Sequence, residues 1–188
     1  NFMHYNIKKY YFLSKFDTKT INNQDKQTAI IYRNYKEINI DLVIKKIKET
    51  CNRNSRKFYI ANNLKTALKF NLDGLYLPAF NNILQYKNIS SRKNFKIIGS
   101  AHNFKEIKIK EKQGCEEIFI TPIFHNPKNK YFLDIARFNY LNLTTKIKTI
   151  ALGGINEQNF KKLKCTKVIG FAGISWIKKT GLKLIRPV

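Results

Sequence analysis

The sequence is short of acidic residues, proline and glycine, and each shortage excludes a class of protein. Its 188 residues include 12 Asp and Glu against 36 Lys and Arg, which gives a formal net charge of +24. Four Pro and eight Gly argue against collagen-like and proline-rich chains. A hydrophobic fraction of 43% is that of a globular chain and argues against disorder. The length predicts a single domain over residues 1–188.

Long apolar runs and paired cysteines are also missing. No run approaches the roughly 18 apolar residues that a membrane helix needs. Residues 1–9 are polar and basic, so we expect an N-terminal extension rather than a secretion signal. Cys51, Cys115 and Cys165 lie far apart and form no CxxC pair, which predicts buried free thiols in a reducing compartment. We therefore expect a cytoplasmic protein with no membrane partner.

The basic excess has two interpretations. Lys far outnumbers Arg, and Lys, Asn and Ile are abundant together, as AT-rich codon usage would give any protein. The lysines are spread along the chain, which favours this compositional origin. The alternative is nucleic-acid binding, because so much positive charge attracts polyanions at low salt. No recognised nucleic-acid-binding motif accompanies the charge, so we expect nonspecific attraction only.

Short apolar segments alternate with amphipathic ones along the whole chain. Strands are predicted at residues 10–16, 28–33, 57–61, 74–77, 95–99, 118–121, 147–152 and 168–172. Helices are predicted after Asn39, over 64–72, from Pro78 to about Ser90, and over 103–113, 134–143, 156–163 and 173–178. The first connection, residues 18–27, has poor helical periodicity, which predicts an abbreviated helix or a loop.

Eight continuously apolar strands in strict alternation with helices predict a parallel (β/α)8 TIM barrel. A doubly wound sheet is the alternative. In such a barrel the active site lies at the carboxyl ends of the strands. Those ends carry Arg33, Asn62, Ser100 and His102, and of the acidic residues only Asp17 is expected there. An arginine at the end of a strand needs an anionic partner, so Arg33 is predicted to bind a substrate anion.

Two glycine-containing turns predict a phosphate site. Gly153 and Gly154 follow the seventh strand, and Gly173, Ile174 and Ser175 follow the eighth. Glycines let the backbone approach an anion, and amides at a helix start point at it. The alternative is that both are ordinary strand-to-helix turns. His102 and His125, the latter in a long basic loop, are candidate polar site residues with a structural or solvent-exposed role as the alternative.

With these motifs in order, the chain resembles the thiamine phosphate synthases and their TenI-type relatives. Ile31-Tyr32-Arg33 resembles the strand whose Arg holds pyrophosphate, and Ala61-Asn62-Asn63 resembles an Asn-Asp-Asp motif. The strand at Asp73–Leu77 and the segment Ile98–His102 resemble Ala-Asp-Gly-Val-His-Leu and Gly-Val-Ser-x-His. Thr121–Phe124 resembles Gly-Pro-Ile-Phe, and the turns at Gly153-Gly154 and Gly170–Ser175 resemble the thiazole-phosphate loops.

The resemblance implies a reaction and its site residues. The family joins 4-methyl-5-(2-hydroxyethyl)thiazole phosphate to hydroxymethylpyrimidine pyrophosphate, and it releases pyrophosphate. We expect catalytic roles for Arg33, Ser100, His102 and Lys128. We expect Asn62, Asn126, Lys130, Gly153, Gly154, Gly173, Ile174 and Ser175 to bind these small phosphorylated substrates.

The chain departs from the family at the metal site. The two magnesium-binding Asp fall on Asn63 and Asn81, and a loop Lys falls near Tyr35. Asn can ligate magnesium through its carbonyl oxygen but brings no charge, so we expect weak magnesium binding at most. A TenI-like tautomerase, which isomerises the thiazole phosphate, and a non-catalytic barrel that binds thiazole phosphate or thiamine phosphate are the alternative functions.

Overall fold

Eight parallel strands close into a barrel in this computed structural model, which describes residues 7–86, 88–89, 92–127 and 131–173. The strands are β1 (Lys8–Leu13), β2 (Thr28–Tyr32), β3 (Phe58–Ala61), β4 (Gly74–Leu77), β5 (Lys96–Ala101), β6 (Glu117–Ile120), β7 (Lys148–Leu152) and β8 (Gly170–Ala172). They pair in sequence order, and β1 also pairs with β8. The predicted (β/α)8 barrel is therefore confirmed, and the doubly wound alternative is wrong.

Helices cover the outside of the barrel. They are α1 (Thr18–Asn22), α2 (Ile40–Arg53), α3 (Leu64–Lys69), α4 (Phe104–Lys112), α5 (Asp134–Leu143) and a 3₁₀ helix (Phe160–Cys165). The short α1, capped by the Asp17 side chain, is the abbreviated first helix that the sequence predicted. Among the described residues no helix has the length and apolarity to cross a bilayer.

One predicted helix is wrong, and another begins later than predicted. Residues 78–86 and 88–89 contain turns and coil instead of a helix. Pro78 begins this connection, and the Asn81 and Ile83 carbonyls bond side chains from α4 and the turn after it rather than helical amides. The helix predicted over 156–163 begins only at Phe160, as the 3₁₀ helix, because the side chains of Asn156 and Asn159 each accept from the other's backbone amide and form a turn before it. The helix predicted over 173–178 lies almost wholly outside the described residues.

Aromatic rings fill the barrel interior. Phe119 is the central ring, with Tyr10 and Phe12 at centroid distances of 5.2 and 5.4 Å and Tyr76 at 5.9 Å. These residues alternate along their strands with side chains that face the helices, as the two-residue period of a strand requires. Edge-to-face rings pack favourably at such distances and make the interior a solid core.

The outer core lies between the strands and the helices. Ile44 and Ile47 of α2 and Ile107 of α4 are fully buried there. Cys51 and Cys115 are buried free thiols, as predicted. Cys165 is also free but exposed, so its predicted burial is wrong, because it ends the 3₁₀ helix on the surface.

A buried carboxylate closes the amino-terminal end of the barrel. Glu117 is 1% exposed at the start of β6, and it accepts hydrogen bonds from the ammonium groups of Lys8 and Lys96 and from the Tyr10 hydroxyl. The Lys96 contact measures 2.7 Å. Since β1, β5 and β6 each contribute a partner, this network ties three strands together at one end.

Burial alone raises the pKa of Glu117, but the hydrogen bonds from Lys8, Lys96 and Tyr10 outweigh it and hold the pKa below its ordinary value. A carboxyl group with a lowered pKa stabilises the fold above its unfolded-state pKa. That stabilisation is lost as the pH falls through the folded-state pKa.

We predict that Glu117→Gln lowers the free energy of unfolding at pH 7 by roughly 2–3 kcal/mol, less than the roughly 3–5 kcal/mol of a fully buried pair, because Lys8 can reach water. The difference from wild type should shrink at acid pH, where Glu117 is protonated. Urea unfolding at both pH values measures this, with Glu116→Gln, an exposed neighbour, as the control. Equal destabilisation at both pH values would show that packing, and not charge, makes Glu117 important.

Candidate active site at the barrel mouth

Arg33 lies over the mouth of the barrel. It directly follows β2, and its backbone amide donates to the Leu13 carbonyl at 2.8 Å. Its guanidinium carbon lies 4.9 Å from the centroid of the Phe12 ring inside the barrel. Stacking on this ring positions the cation without neutralising it. Arg33 is therefore where the sequence placed it, and within the described residues no carboxylate lies within ion-pair distance of it.

Two hydroxyl groups lie below Arg33. The Tyr76 hydroxyl of β4 donates to the Ser100 Oγ of β5 at 2.9 Å, and both residues are buried. Burial raises the pKa of Tyr76, and Ser100 and the nearby Arg33 partly offset the shift. Tyr76 was not among the predicted site residues, because its inward orientation depends on the pleat of β4, which a continuously apolar strand does not reveal.

An aromatic pair forms the rim beside Arg33. Tyr35 of the β2–α2 loop packs edge-on against Phe80 of the β4–β5 connection, with ring centroids 5.8 Å apart. The pKa of Tyr35 is raised to about 12, chiefly by burial and also by Tyr76, and Arg33 offsets part of the rise. The Tyr35 hydroxyl therefore stays protonated and can donate a hydrogen bond at the mouth.

The mouth carries more carboxylates than the sequence predicted. Asp17 is there, with its side chain accepting from the Lys19 amide and the Thr20 hydroxyl. Glu37 of the β2–α2 loop also lies at this end and accepts from the Tyr32 hydroxyl at 2.8 Å. Glu106 in the first turn of α4 is a third. The expectation that Asp17 stands alone is wrong, because residues of the β2–α2 loop and of the first turn of α4 also lie at this end of the barrel.

His102 is bound to one of these carboxylates. Its backbone amide donates to Glu106 Oε2 at 2.7 Å, and its Nδ1 lies 2.9 Å from the same oxygen. Asn103 caps α4 by accepting from the Glu106 amide. His125 is exposed and packs edge-on against Phe132 at 5.9 Å. The catalytic role of His102 stays a prediction.

The two predicted metal positions do not fit a magnesium site. The side-chain Oδ1 of Asn63 accepts from the Thr66 amide at 3.0 Å and so caps α3. The side-chain Oδ1 of Asn81 accepts from the Ile83 amide and from Gln113 Nε2, both at 3.0 Å, and Asn81 is 5% exposed. Magnesium prefers charged oxygen ligands. Among the described residues no cluster of three His, Cys, Asp or Glu could hold a metal.

Asn62 and Asn81 instead join two loops at the mouth. Asn81 Nδ2 donates to the Asn62 side-chain oxygen and, at 3.2 Å, to the Tyr86 hydroxyl. Asn62 is exposed and has φ of +56°, a left-handed conformation that Asn tolerates better than most residues. The predicted substrate ligand Asn62 is thus held in a fixed orientation beside the mouth.

The turn after β7 is built on two glycines. Gly153 and Gly154 have φ of +94° and +70°, and a Cβ on Gly154 would lie 2.3 Å from the Phe124 carbonyl oxygen. The Phe124 amide donates to the Gly153 carbonyl at 3.1 Å, which packs this turn against the β6 loop. Glycine is therefore required here by the turn itself, and phosphate binding stays a prediction.

Of the other predicted substrate ligands, two lie among the described residues. Gly173 is buried directly after β8, and Asn126 is half-buried in the β6 loop. The residues Lys128, Lys130, Ile174 and Ser175 lie outside the described residues.

Two cavities lie at the opposite, amino-terminal end of the barrel. Their volumes are about 790 and 490 Å³, and both are lined by Lys96 and Glu116. Several charged groups around them pair with one another, as Lys57 does with Asp73 at 2.8 Å and Lys96 with Glu117. Parallel barrels carry their active sites at the carboxyl ends of the strands, so we place the candidate site at the mouth.

The chain matches a known family over most of its length. The family model described as thiamine monophosphate synthase matches residues 19–177. A curated thiamine-phosphate synthase of Prochlorococcus marinus is 34% identical over 126 residues, 64% of this chain and 35% of that protein. One of Pelagibacter ubique is 29% identical over 153 residues, 77% of this chain and 72% of that protein. The chain thus spans about a third of the length of the Prochlorococcus relatives.

Solved structures support the fold. Thiamine phosphate pyrophosphorylase from Pyrococcus furiosus has a TM-score of 0.77 at 22% identity, and the match covers 91% of this chain and 87% of that one. FabK from Thermotoga maritima has a TM-score of 0.71 at 11% identity, covering 94% of this chain and 61% of that one. At such identities the likeness establishes the barrel and leaves the chemistry to the residues at the mouth.

We predict that Arg33→Lys weakens the binding of inorganic pyrophosphate by roughly tenfold to a hundredfold, because Lys cannot copy the bidentate guanidinium contact. Calorimetric titration measures the loss. Arg137→Lys on the exposed face of α5 is the matched control and should bind as wild type does. Unchanged affinity in Arg33→Lys would make Arg33 a structural residue.

Proposed function

Since this chain belongs to the thiamine monophosphate synthase family, we propose that it joins 4-methyl-5-(2-hydroxyethyl)thiazole phosphate to hydroxymethylpyrimidine pyrophosphate, with release of pyrophosphate. The observation that carries the proposal is Arg33, which stacks on Phe12 at the mouth and has no carboxylate partner among the described residues. A barrel that only binds thiazole phosphate has no need of a second anion site.

The reaction exchanges one bond for another. The bond between the pyrimidine methylene carbon and a pyrophosphate oxygen breaks, and its electron pair leaves with pyrophosphate. The thiazole nitrogen then donates its lone pair to the methylene carbon. Negative charge develops on the leaving oxygen, so a fixed cation beside that oxygen lowers the barrier.

Arg33 supplies this cation in our proposal. Its guanidinium can meet two pyrophosphate oxygens at once. The Tyr76 and Ser100 hydroxyls lie below it and offer hydrogen bonds to the pyrimidine end of the substrate. The aromatic interior around Phe12 and Phe119 excludes water from the cationic intermediate. Asn62 orients the pyrophosphate from the neighbouring loop, and Lys128 and Lys130 are proposed to add positive charge.

Phosphate of the other substrate is proposed to bind on the opposite side of the mouth. Gly153 and Gly154 follow β7, Gly173 follows β8, and Ile174 and Ser175 come next in the sequence. This arrangement leaves the two substrates facing one another across the barrel axis, which makes the attack a matter of positioning. Magnesium does not fit Asn63 and Asn81 as they are bonded, so the charge on the leaving group is left to side chains of the protein.

The purified protein should form thiamine phosphate from the two precursors, and chelation of magnesium should reduce the rate only slightly. Fluorescence after oxidation detects the product. Arg33→Lys should lose activity, and Arg137→Lys should keep it. Absence of thiamine phosphate with both precursors and magnesium present would refute the proposed reaction.

The metal positions give a separate prediction. Asn63→Asp with Asn81→Asp should bind magnesium more tightly than wild type, since two carboxylates supply the missing charge. Without metal the variant should be less stable by about 1–3 kcal/mol, because a carboxylate at position 81 cannot donate to Asn62 and Tyr86 as the native amide does. Calorimetry and thermal unfolding measure the two effects. Tight magnesium binding to the wild-type protein without substrate would contradict the prediction.

A further inference from the structure

Lys110 of α4 is a buried lysine with an unusual environment. It is 0% exposed, and among the described residues no carboxylate lies within ion-pair distance of it. Its ammonium donates to the Asn81 carbonyl at 2.7 Å and to Gln113 Oε1 at 2.9 Å. Burial lowers the pKa of Lys110 to about 8. Burying an ammonium group costs free energy, so its two acceptors must be well placed to retain it.

A glycine on β5 makes room for the lysine stem. A Cβ on Gly99 would lie 2.9 Å from Lys110 Cδ and 3.0 Å from Cγ, and 2.9 Å from Cys115 Sγ. These separations are shorter than side chains tolerate. Gly99 therefore leaves a channel along which the lysine passes from α4 to the β4–β5 connection.

That connection receives hydrogen bonds from side chains of α4 and of the turn after it. Residues 78–95 join β4 to β5, and their described part contains no helix. Gln113 Nε2 donates to the Asn81 and Ile83 carbonyls at 3.0 and 2.8 Å. Long connections without secondary structure are usually functional when a compact domain keeps them ordered.

The hydrogen bonds continue from this connection to the site. The Asn81 backbone carbonyl accepts from Lys110 and Gln113, and the Asn81 side-chain amide donates to Asn62. We call Lys110, Gln113, Asn81 and Asn62 the lysine lock. It runs from the inner face of α4 to the loop after β3, and every contact except the one at Asn62 is buried.

We infer that Lys110 is a positioning residue, which fixes the Asn62 carboxamide at the mouth through Asn81 and thereby orients the pyrophosphate end of the substrate. The lock includes Asn81, one of the two positions that do not fit a metal, and joins the loop after β3 to the β4–β5 connection with an ammonium group of the protein itself. Its effect on substrate orientation rests on the proposed function, whereas its effect on the loop does not.

Two variants test the lock. Lys110→Met removes the ammonium and keeps an apolar stem of similar length. Gly99→Ala keeps the ammonium and displaces the stem. Lys48→Met is the matched control, because Lys48 on α2 also donates to a backbone carbonyl, that of Phe70 at 2.6 Å, but away from the mouth.

Hydrogen exchange at the Asn81 and Ile83 amides reports on the loop, and the KM values of the two substrates report on the site. In Lys110→Met and Gly99→Ala we expect exchange to accelerate roughly tenfold, as loss of one buried hydrogen bond would cause. We expect the KM for hydroxymethylpyrimidine pyrophosphate to rise about tenfold or more, and that for thiazole phosphate to stay unchanged. Lys48→Met should change neither.

If the Asn81 and Ile83 amides exchange in both variants at the wild-type rate, Lys110 does not hold the loop. An equal rise in the KM values of both substrates would likewise contradict a positioning role at the pyrophosphate end. If the wild-type protein forms no thiamine phosphate, the proposed function fails by itself. The role of Lys110 is then tested in the two variants by hydrogen exchange, which should accelerate roughly tenfold, and by the affinity for inorganic pyrophosphate, which should fall roughly tenfold. Unchanged values for both would exclude it.

Discussion

Pairing of β1 with both β2 and β8 is the constraint on which the rest of the molecule depends. Only three residues of β8 take part, and they align Lys8–Tyr10 with Gly170–Ala172. Gly170 permits this approach, because a Cβ there would lie 2.5 Å from the Lys8 carbonyl oxygen. Closure brings the carboxyl ends of all eight strands into one ring. Arg33, Asn62, Tyr76 and Ser100 meet only because four consecutive strands end there.

The barrel is electrostatically different at its two ends. Glu117 with Lys8, Lys96 and Tyr10 satisfies its own charges at the amino-terminal end, and aromatic rings separate this network from the mouth. At the mouth Arg33 contacts a ring rather than a carboxylate. An unneutralised cation attracts an anion more strongly than a neutralised one does, which supports the proposal that phosphorylated ligands bind at the mouth.

Sequence periodicity was enough for the barrel and for most of its strands, because buried parallel strands are short, apolar and bounded by polar turns. It failed where side chains replace helical hydrogen bonds, as at Asn81 and between Asn156 and Asn159. The site was partly predictable, since Arg33 ends a strand. The burial of Lys110 could not be predicted, because α4 carries several lysines and only Lys110 passes over Gly99, where the lack of a side chain makes room for it.

The most direct test is a crystal structure of the protein with pyrophosphate, thiazole phosphate and manganese. It shows whether the mouth binds the leaving pyrophosphate through side chains of the protein. We predict pyrophosphate oxygens within hydrogen-bonding distance of the Arg33 guanidinium and the Asn62 carboxamide, with no anomalous manganese signal at Asn63 or Asn81. Pyrophosphate bound in the cavities beside Lys96, or manganese bridging Asn63 and Asn81 to the pyrophosphate, would contradict this arrangement.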